Sequence, residues 1–481
     1  MSGSLIPQGS KPPAVLGSSA PDALTLGRLV SPHSGIGEKM RYGGALNLLV
    51  LGPNGKGKGT RLLIPNLLQM SGSSVVVVDP KGELAAVTAP YRRTLGRVVI
   101  LNPFGVLTNH HGYGDLKSAG YNPLAALDPA ASSFNVQASL LADAMITVSG
   151  KDNPHWDESA RALIASFIMY VVIEAHEKRT VPTIARVREL LCELSEEPHK
   201  GNRYQGLGIP KRAQEMMRTG LAGLRNKASQ FTDWNSEIQS IASAAKRQTE
   251  AFDDPEIAHD LAIDGFDFRD LKREPITVYL ILPPEMMGRH SKWLRFVLTA
   301  AIQGVMRARV SGEPKTLFML DEFFALGHLE IISTVWALVR GYGVQIMPIL
   351  QDLNQLKKLY PDMWETFIGM AGAVACFAPN DLTTAEWMSR RAGDTTKVAM
   401  NYNEGSGEST GGNGSTNKNE GYSYSPVKAP LIPAHQLFGM RPGYMQLTLD
   451  GLSDVVPTYA PAYYEIVQCE QRARANPYYL G

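Results

Sequence analysis

The sequence predicts an α/β protein in which a parallel sheet carries a phosphate-binding loop and is interrupted by an all-helical insert. Three observations predict it. First, the apolar run Leu46-Asn47-Leu48-Leu49-Val50-Leu51 leads into Gly52-Pro53-Asn54-Gly55-Lys56-Gly57-Lys58-Gly59-Thr60. A buried strand running into a glycine-rich turn with a terminal lysine is how a chain builds a phosphate cradle, with backbone N–H groups pointing inward. Second, Leu317-Phe318-Met319-Leu320 supplies another apolar strand that ends in Asp321-Glu322. Third, strand signals nearly vanish between about residues 131 and 264.

Taken in order, residues 1–40 are rich in Ser, Gly and Pro and are expected to form a flexible N-terminal arm. Residues 41–130 alternate strand and helix patterns and form the first part of the nucleotide-binding domain. Ser74–Asp79 holds four consecutive valines, and Arg97–Leu101 is a second β-branched run. Continuous apolar strands of this kind suit a parallel sheet covered on both faces. Ala160–Ala175, Ile184–Leu194, Lys211–Lys227 and Ile238–Phe252 read as helices of an all-α domain at 131–264. The second part of the nucleotide-binding domain, 265–481, brings strands back at Ile276–Leu282, Thr316–Asp321, Val344–Leu350, Ala373–Phe377 and Tyr444–Leu449. Asn401–Ser423 is full of Gly, Ser and Asn, has little apolar content to bury, and is expected to be a mobile surface loop.

Bulk properties narrow the function classes. The 481 residues leave room for more than one domain, and 44% apolar with 19% charged residues fits a folded chain. With 47 basic and 46 acidic side chains, net charge gives no support for nucleic-acid binding, which would need local patches or assembly. Cys192, Cys376 and Cys469 are far apart and lack metal spacing, which suits a reducing cytoplasm. The apolar stretch Leu163–Ile173 is shorter than the roughly 20 residues that span a bilayer and reads as a buried helix. The first residues lack the positively charged lead of a signal peptide.

The phosphate loop fits G-x-x-x-x-G-K from Gly52 to Lys58, with Gly55 and Gly57 inside it and Lys58 as the phosphate lysine. The next residue is usually Ser or Thr, whose hydroxyl holds Mg²⁺. Here it is Gly59, followed by Thr60, so water is expected in place of the hydroxyl. Asp321 would position Mg²⁺ through its water shell and Glu322 would polarise the attacking water. Gln351, at the end of Val344–Leu350, suits a residue that senses the γ-phosphate or orients water; as an ordinary loop glutamine it needs no role. Arg340 precedes the same strand. It is either a solvated side chain or an arginine finger that acts on a neighbouring subunit. Asp79-Pro80-Lys81-Gly82-Glu83 falls at a strand's carboxyl end, where open α/β sheets bind ligands, or is a turn in which Asp79 caps the next helix. His155-Trp156-Asp157-Glu158 has no second histidine at ligand spacing and is read as a helix start.

These segments, in order, resemble the type IV coupling proteins, conjugative DNA-transfer ATPases of the TraG/TraD kind. The resemblance rests on Gly52–Thr60 with Ile64-Pro65-Asn66-Leu67-Leu68, Asp79-Pro80-Lys81-Gly82-Glu83-Leu84, Tyr121-Asn122-Pro123-Leu124, Leu320-Asp321-Glu322-Phe323 with Ala325-Leu326-Gly327, and Gln351-Asp352-Leu353-Asn354-Gln355-Leu356. It covers about residues 45–455. It implies a RecA-like P-loop NTPase domain with an inserted all-α domain, using ATP and Mg²⁺. It also implies a homo-hexameric ring around DNA, single-stranded or relaxase-bound, with Arg340 where the family places a candidate arginine finger. The implied partners are the relaxase and the ATPases of a type IV secretion channel. Typical members begin with a transmembrane pair. No such segment is present in this sequence, which fits either a soluble member recruited from the cytoplasm to the inner face of the membrane by an anchoring partner or a chain from which the segment has been removed. The rival readings are a DNA-pumping ATPase of the FtsK/HerA kind and a nucleotide-gated adaptor that hardly hydrolyses ATP.

Overall fold

The computed structural model describes residues 17–31, 35–147, 154–193, 208–308, 314–408 and 416–479. Thirteen strands are found among them: β1 Leu24–Ser31, β2 Gly35–Tyr42, β3 Asn47–Leu51, β4 Ser74–Val78, β5 Arg97–Leu101, β6 Ile276–Leu280, β7 Thr316–Leu320, β8 Val344–Leu350, β9 Ala371–Phe377, β10 Asp394–Glu408, β11 Thr416–Pro430, β12 Tyr444–Leu449 and β13 Val456–Tyr459. Eleven form one sheet in the order β2-β1-β13-β12-β9-β3-β8-β7-β4-β6-β5. The seven strands from β9 to β5 run parallel. The β12, β13, β1 and β2 strands extend the sheet antiparallel from β9.

The valine run shows why the parallel strands carry no polar alternation. Val76 and Val78 enter one apolar core with Leu49 and Leu51, while Val75 and Val77 enter the other with Leu48 and Val50. Side chains alternate across a strand, so a strand covered on both faces must be apolar at every position. One core is closed by the helices Ile64–Gln69 and Glu83–Leu95. The other is closed by the helix Pro284–Arg307 and by the insert.

From Phe134 to Asp260 the described residues contain helices and no strand. Thr183 and Asn235 start two of these helices, their side chains accepting from the N–H of Arg186 at 3.2 Å and of Ile238 at 2.9 Å. The expected helix at Lys211–Lys227 is two pieces, Ile209–Met217 and Ala222–Ala228, parted at Thr219-Gly220. Pro154–Lys178 includes a stretch long and apolar enough to cross a membrane, but Leu163, Ile164, Phe167, Ile168 and Val171 are buried in the protein's own core.

Two expectations are corrected. Residues 24–31 and 35–42 are not a loose arm: Leu24, Leu26, Met40 and Tyr42 are buried, and β1 is hydrogen-bonded to β2 and β13, while residues 1–16 and 32–34 lie outside the described residues. Residues 401–408 and 416–423 are not loop either. They belong to a two-stranded ribbon in which Met400 faces Tyr424 and Tyr402 faces Tyr422. Backbone pairing, rather than a buried apolar face, gives this ribbon its order.

The insert is fastened to the sheet at two buried groups. Arg295, 4% exposed, donates to the carbonyls of Ala144, Ile146, Leu326 and His328 at 2.6–2.8 Å. Asp260, 2% exposed, accepts from Ser118 Oγ and from Trp293 Nε1 at 3.2 Å. Burial pushes the Asp260 carboxyl up to about 6, against the two hydrogen bonds that favour its charge. The folded chain therefore holds a proton that the unfolded chain releases near pH 4. Stability from this group is lost as pH rises through about 4 to 6. We predict that the stability of the parent relative to an Asp260→Asn variant falls over that window by on the order of 2 kcal/mol. Thermal melts of both proteins from pH 4 to 7 check this; a constant difference would contradict it.

Candidate functional site

The site is assembled at the carboxyl ends of β3, β4 and β7. The chain leaves β3 at Leu51, and Gly52 N–H donates to the Leu350 carbonyl at the end of β8 at 3.0 Å. This bond fixes where the phosphate loop begins. Gly57 has φ +85°, and a Cβ there would lie 2.9 Å from Arg61 Cδ, so the loop needs glycine at that position. Arg61 N–H donates to the Gly57 carbonyl at 2.8 Å, and a wide π-type turn, Gly59–Leu63, leads into the helix Ile64–Gln69.

Lys58 is 8% exposed. Its ammonium donates to the Gly52 carbonyl and, at 3.2 Å, to that of Pro53. Burial lowers its pKa from the ordinary lysine value, and the negative charges of Asp321 and Glu322 oppose that shift. Thr60 Oγ1 donates to the Gly57 carbonyl at 3.4 Å.

Asp321 and Glu322 follow β7. Burial, then the charge of Glu322, pushes the Asp321 carboxyl up to about 6, and Lys58 holds it down. Glu322 N–H donates to Asp321 Oδ1 at 3.1 Å. Glu322 itself is left-handed, with φ 49° and ψ 42°, which disfavours a residue with a Cβ. Asp79 lies at the end of β4. Its Oδ2 accepts from Ala85 N–H at 2.8 Å, capping the helix Glu83–Leu95, and it also lines the cavity. Burial pushes its carboxyl up to about 7.

These groups surround one cavity of about 990 Å³. The phosphate loop forms one wall and Asp79 to Leu84 another, with Asp321 and Glu322 between the two. The donor set is all oxygen, which suits Mg²⁺. Among the described residues no three carboxylate, histidine or cysteine groups converge to metal-ligand distance, so protein ligation would be supplemented by water and phosphate oxygens.

Two predicted residues lie elsewhere. Gln351 is next to the Leu350 carbonyl that holds Gly52, and its N–H bonds Gln355 Oε1 at 2.9 Å, but it does not line the cavity. Arg340 is exposed in the turn Val339–Tyr342, before β8. The phosphate loop leaves at the other end of the parallel strands, so roughly 20 Å of strand separates the two.

The sequence reading missed the third wall, Tyr463, Tyr464 and Tyr479. Tyrosine pairs near the C-terminus were the only signal, and no spacing rule attaches to them. Elsewhere, His155 pairs with Glu237 at 3.2 Å at the start of its helix, and Arg212 of the insert pairs with Glu193 and Glu215 at 2.7 and 2.8 Å.

Comparison with known proteins places this geometry in a family. The profile described as Type IV secretory system Conjugative DNA transfer matches residues 24–452. The chain belongs to this family. It is 27% identical over 385 residues to the conjugal transfer protein TraG of Escherichia coli, covering 75% of this chain and 56% of that one. It is 28% identical over 352 residues to protein VirD4 of Agrobacterium fabrum (strain C58), covering 72% and 49%. The chain thus spans about half the length of these relatives. The unbound coupling protein TrwBdeltaN70 superposes with a TM-score of 0.58 at 16% identity over 86% of this chain and 85% of that one. TrwB in complex with ADP and Mg²⁺ gives the same score and coverage. The fold is thus a RecA-like P-loop NTPase domain with an inserted all-α domain, as the family resemblance implies; the sequence pattern itself indicates the helical insert.

The strained backbone at Glu322 yields a test independent of activity. A Glu322→Gly variant should be more stable than Glu322→Ala by about 1 kcal/mol, because glycine adopts the left-handed conformation without the Cβ clash. Denaturant unfolding of the two variants measures the difference, and equal stabilities would show that the conformation carries no strain.

Proposed function

We propose that the chain is an ATP-driven coupling protein that recruits a relaxase–DNA complex or a protein substrate and delivers it to a type IV secretion channel. The observation that carries this reading is the single cavity that unites Lys58, Asp321 and Glu322 in a member of a conjugative DNA-transfer family. The solved TrwB structures, which include complexes with the ATP analogue ADPNP and with ADP and Mg²⁺, support nucleotide as the occupant. TraG and VirD4 among the relatives favour secretion coupling over a DNA pump of the FtsK/HerA kind or a non-hydrolysing adaptor.

In this mechanism Lys58 exchanges the Gly52 and Pro53 carbonyls for the β- and γ-phosphates of ATP. The backbone N–H groups from Gly55 to Thr60 cradle the phosphates. Asp321 would hold Mg²⁺ through water, and the bound ion would supply charge neutralisation on the phosphates. Glu322 accepts a hydrogen bond from the attacking water and orients it; Gln351, outside the cavity, would respond to the γ-phosphate only through the base of the loop. Hydrolysis moves DNA, single-stranded or relaxase-bound, through a homo-hexamer. The partners are the relaxase, the ATPases of the channel and a membrane-anchoring protein that recruits the chain from the cytoplasm to the inner face of the membrane.

The test is steady-state hydrolysis beside equilibrium nucleotide binding. Lys58→Ala is expected to lose binding. Glu322→Gln is expected to bind as the parent does and to turn over at least about 100-fold more slowly, the lower range of general-base effects. Near-normal turnover by Glu322→Gln would exclude it as the group that polarises water.

Arg340 is too far from the phosphate loop of its own chain to touch the same nucleotide, so its proposed role requires a neighbouring subunit. Arg340→Ala should cost about 1,000-fold in turnover, at the low end of arginine-finger effects. Mixing it with Lys58→Ala protein should restore part of the rate, because some interfaces then pair an intact site with an intact finger. A co-assembled mixture with no recovery would exclude action in trans.

A further inference from the structure

Phosphate chemistry uses two walls of the cavity and leaves the third unexplained. That wall belongs to the segment from Ala460 to Tyr479, which is tied to both of the others. Arg61, on the helix after the phosphate loop, donates to the Ala460 carbonyl at 2.9 Å and pairs with Glu465 at 3.3 Å. On the opposite side, Asn476 Nδ2 donates to Glu83 Oε1 at 2.7 Å, and Tyr478 OH donates to the Lys81 carbonyl at 2.6 Å. Arg474 N–H donates to the Val87 carbonyl at 2.9 Å.

What the segment presents to the cavity is aromatic. Tyr463 is the anchored member: it is half-buried, hydrogen-bonded to the Asn476 side chain, and packed edge-on against Tyr464 at 5.3 Å between centroids. Tyr464 and Tyr479 also line the cavity, yet they are 54% and 70% exposed. Their rings are carried by a well-fastened backbone and leave more than half of their surface uncovered by the protein's own packing. The cavity, at about 990 Å³, is also larger than a phosphate chain needs and is of the size that holds a whole ligand.

We propose that Tyr464 and Tyr479 form a base subsite, against which the ring of a nucleoside triphosphate stacks while its phosphates reach Lys58. The inference rests on the nucleotide reading of the same cavity and extends it to the other end of the ligand. Stacking uses the π face that every base has, so this wall supplies affinity rather than choice among bases. The anchoring of the segment to Arg61 and to Lys81–Glu83 keeps the rings at a set place relative to the phosphate loop.

Calorimetric titration of the full chain, in Mg²⁺, with ATP and with inorganic tripolyphosphate separates the two ends. The Tyr464→Ala/Tyr479→Ala variant should bind ATP at least about tenfold more weakly than the parent and tripolyphosphate within twofold of it. The corresponding Tyr→Phe pair should bind ATP as the parent does, because the ring and not the hydroxyl is at work. Lys58→Ala should weaken both ligands. Unchanged ATP affinity in the double alanine variant, with Lys58→Ala defective, would overturn the base subsite and leave the nucleotide reading standing. So would an equal loss of both ligands in the double variant, since that would mean a displaced wall. Unchanged binding of both ligands by Lys58→Ala would overturn the nucleotide reading itself. Should the double variant fail to fold, the two single alanine variants carry the same comparison, each ring being largely exposed.

Discussion

The guanidinium of Arg295 is the contact on which the arrangement of the molecule depends. It is a buried cation that meets four backbone carbonyls. Two of these, Ala144 and Ile146, belong to the C-terminal end of the insert's first helix, where unpaired carbonyls and the helix dipole favour positive charge. The other two, Leu326 and His328, belong to the turn that follows Asp321-Glu322. One side chain therefore satisfies a helix end that would otherwise be left unpaired, and ties the insert to the carboxylate loop. The same helix, Pro284–Arg307, begins at the cavity, where Pro284 and Met287 line it. A shift of the insert relative to the sheet would strain this helix, the carboxylate turn, or both. No lysine would replace Arg295, because only the planar fork supplies several directed donors at once.

A second constraint follows from the sheet. Parallel strands deliver all their carboxyl ends to one side, so the phosphate loop, Asp79 and Asp321-Glu322 meet there although they are far apart in sequence. Burial, with the neighbouring acids adding to it, raises Asp79 and Asp321 toward neutral pH, and Glu322 is kept in a left-handed conformation beside them. Strain and uncompensated charge concentrated at one cavity mark a functional site rather than a structural one.

The parallel half of this fold was legible because its chemistry is local. Four consecutive valines, or an apolar run closing on Asp321-Glu322, need no knowledge of the rest of the chain to be read as buried strands. The edge was not legible. In β2, Gly35–Tyr42, only Met40 and Tyr42 are buried, so its sequence resembles a polar linker, and its order comes from pairing with β1. The ribbon of β10 and β11 misled for a related reason: its order is one of strand pairing, while the alternation Val398, Met400, Tyr402 lies mostly outside the stretch that looks like a loop. At the site, Lys58, Asp321 and Glu322 are motif residues and were visible. Tyr463, Tyr464 and Tyr479 reach the cavity only because Asn476, Tyr478 and Arg474 fasten the segment to the helix after Asp79, a long-range event that spacing does not encode.

On the proposed nucleotide reading, the balance of charge in the cavity leaves room for a second chain to contribute. Asp79, Glu83, Asp321 and Glu322 line it against the two lysines Lys58 and Lys81. A triphosphate brings further negative charge into the same space. In a low-dielectric pocket such an excess is costly, since like charges a few ångströms apart interact by several kcal/mol at an effective dielectric constant of about 20. The positive charge that offsets it has to arrive with the ligand, as a divalent ion, or from another molecule. Arg340 is the proposed source of the second. It is exposed at the amino end of β8, remote from its own phosphate loop and thus free to face that of a neighbour. Within such an assembly, binding energy and subunit contact reinforce each other. Each nucleotide would be bound most tightly where a second chain completes its electrostatics, and hydrolysis, by changing the charge of the ligand, would loosen that same interface.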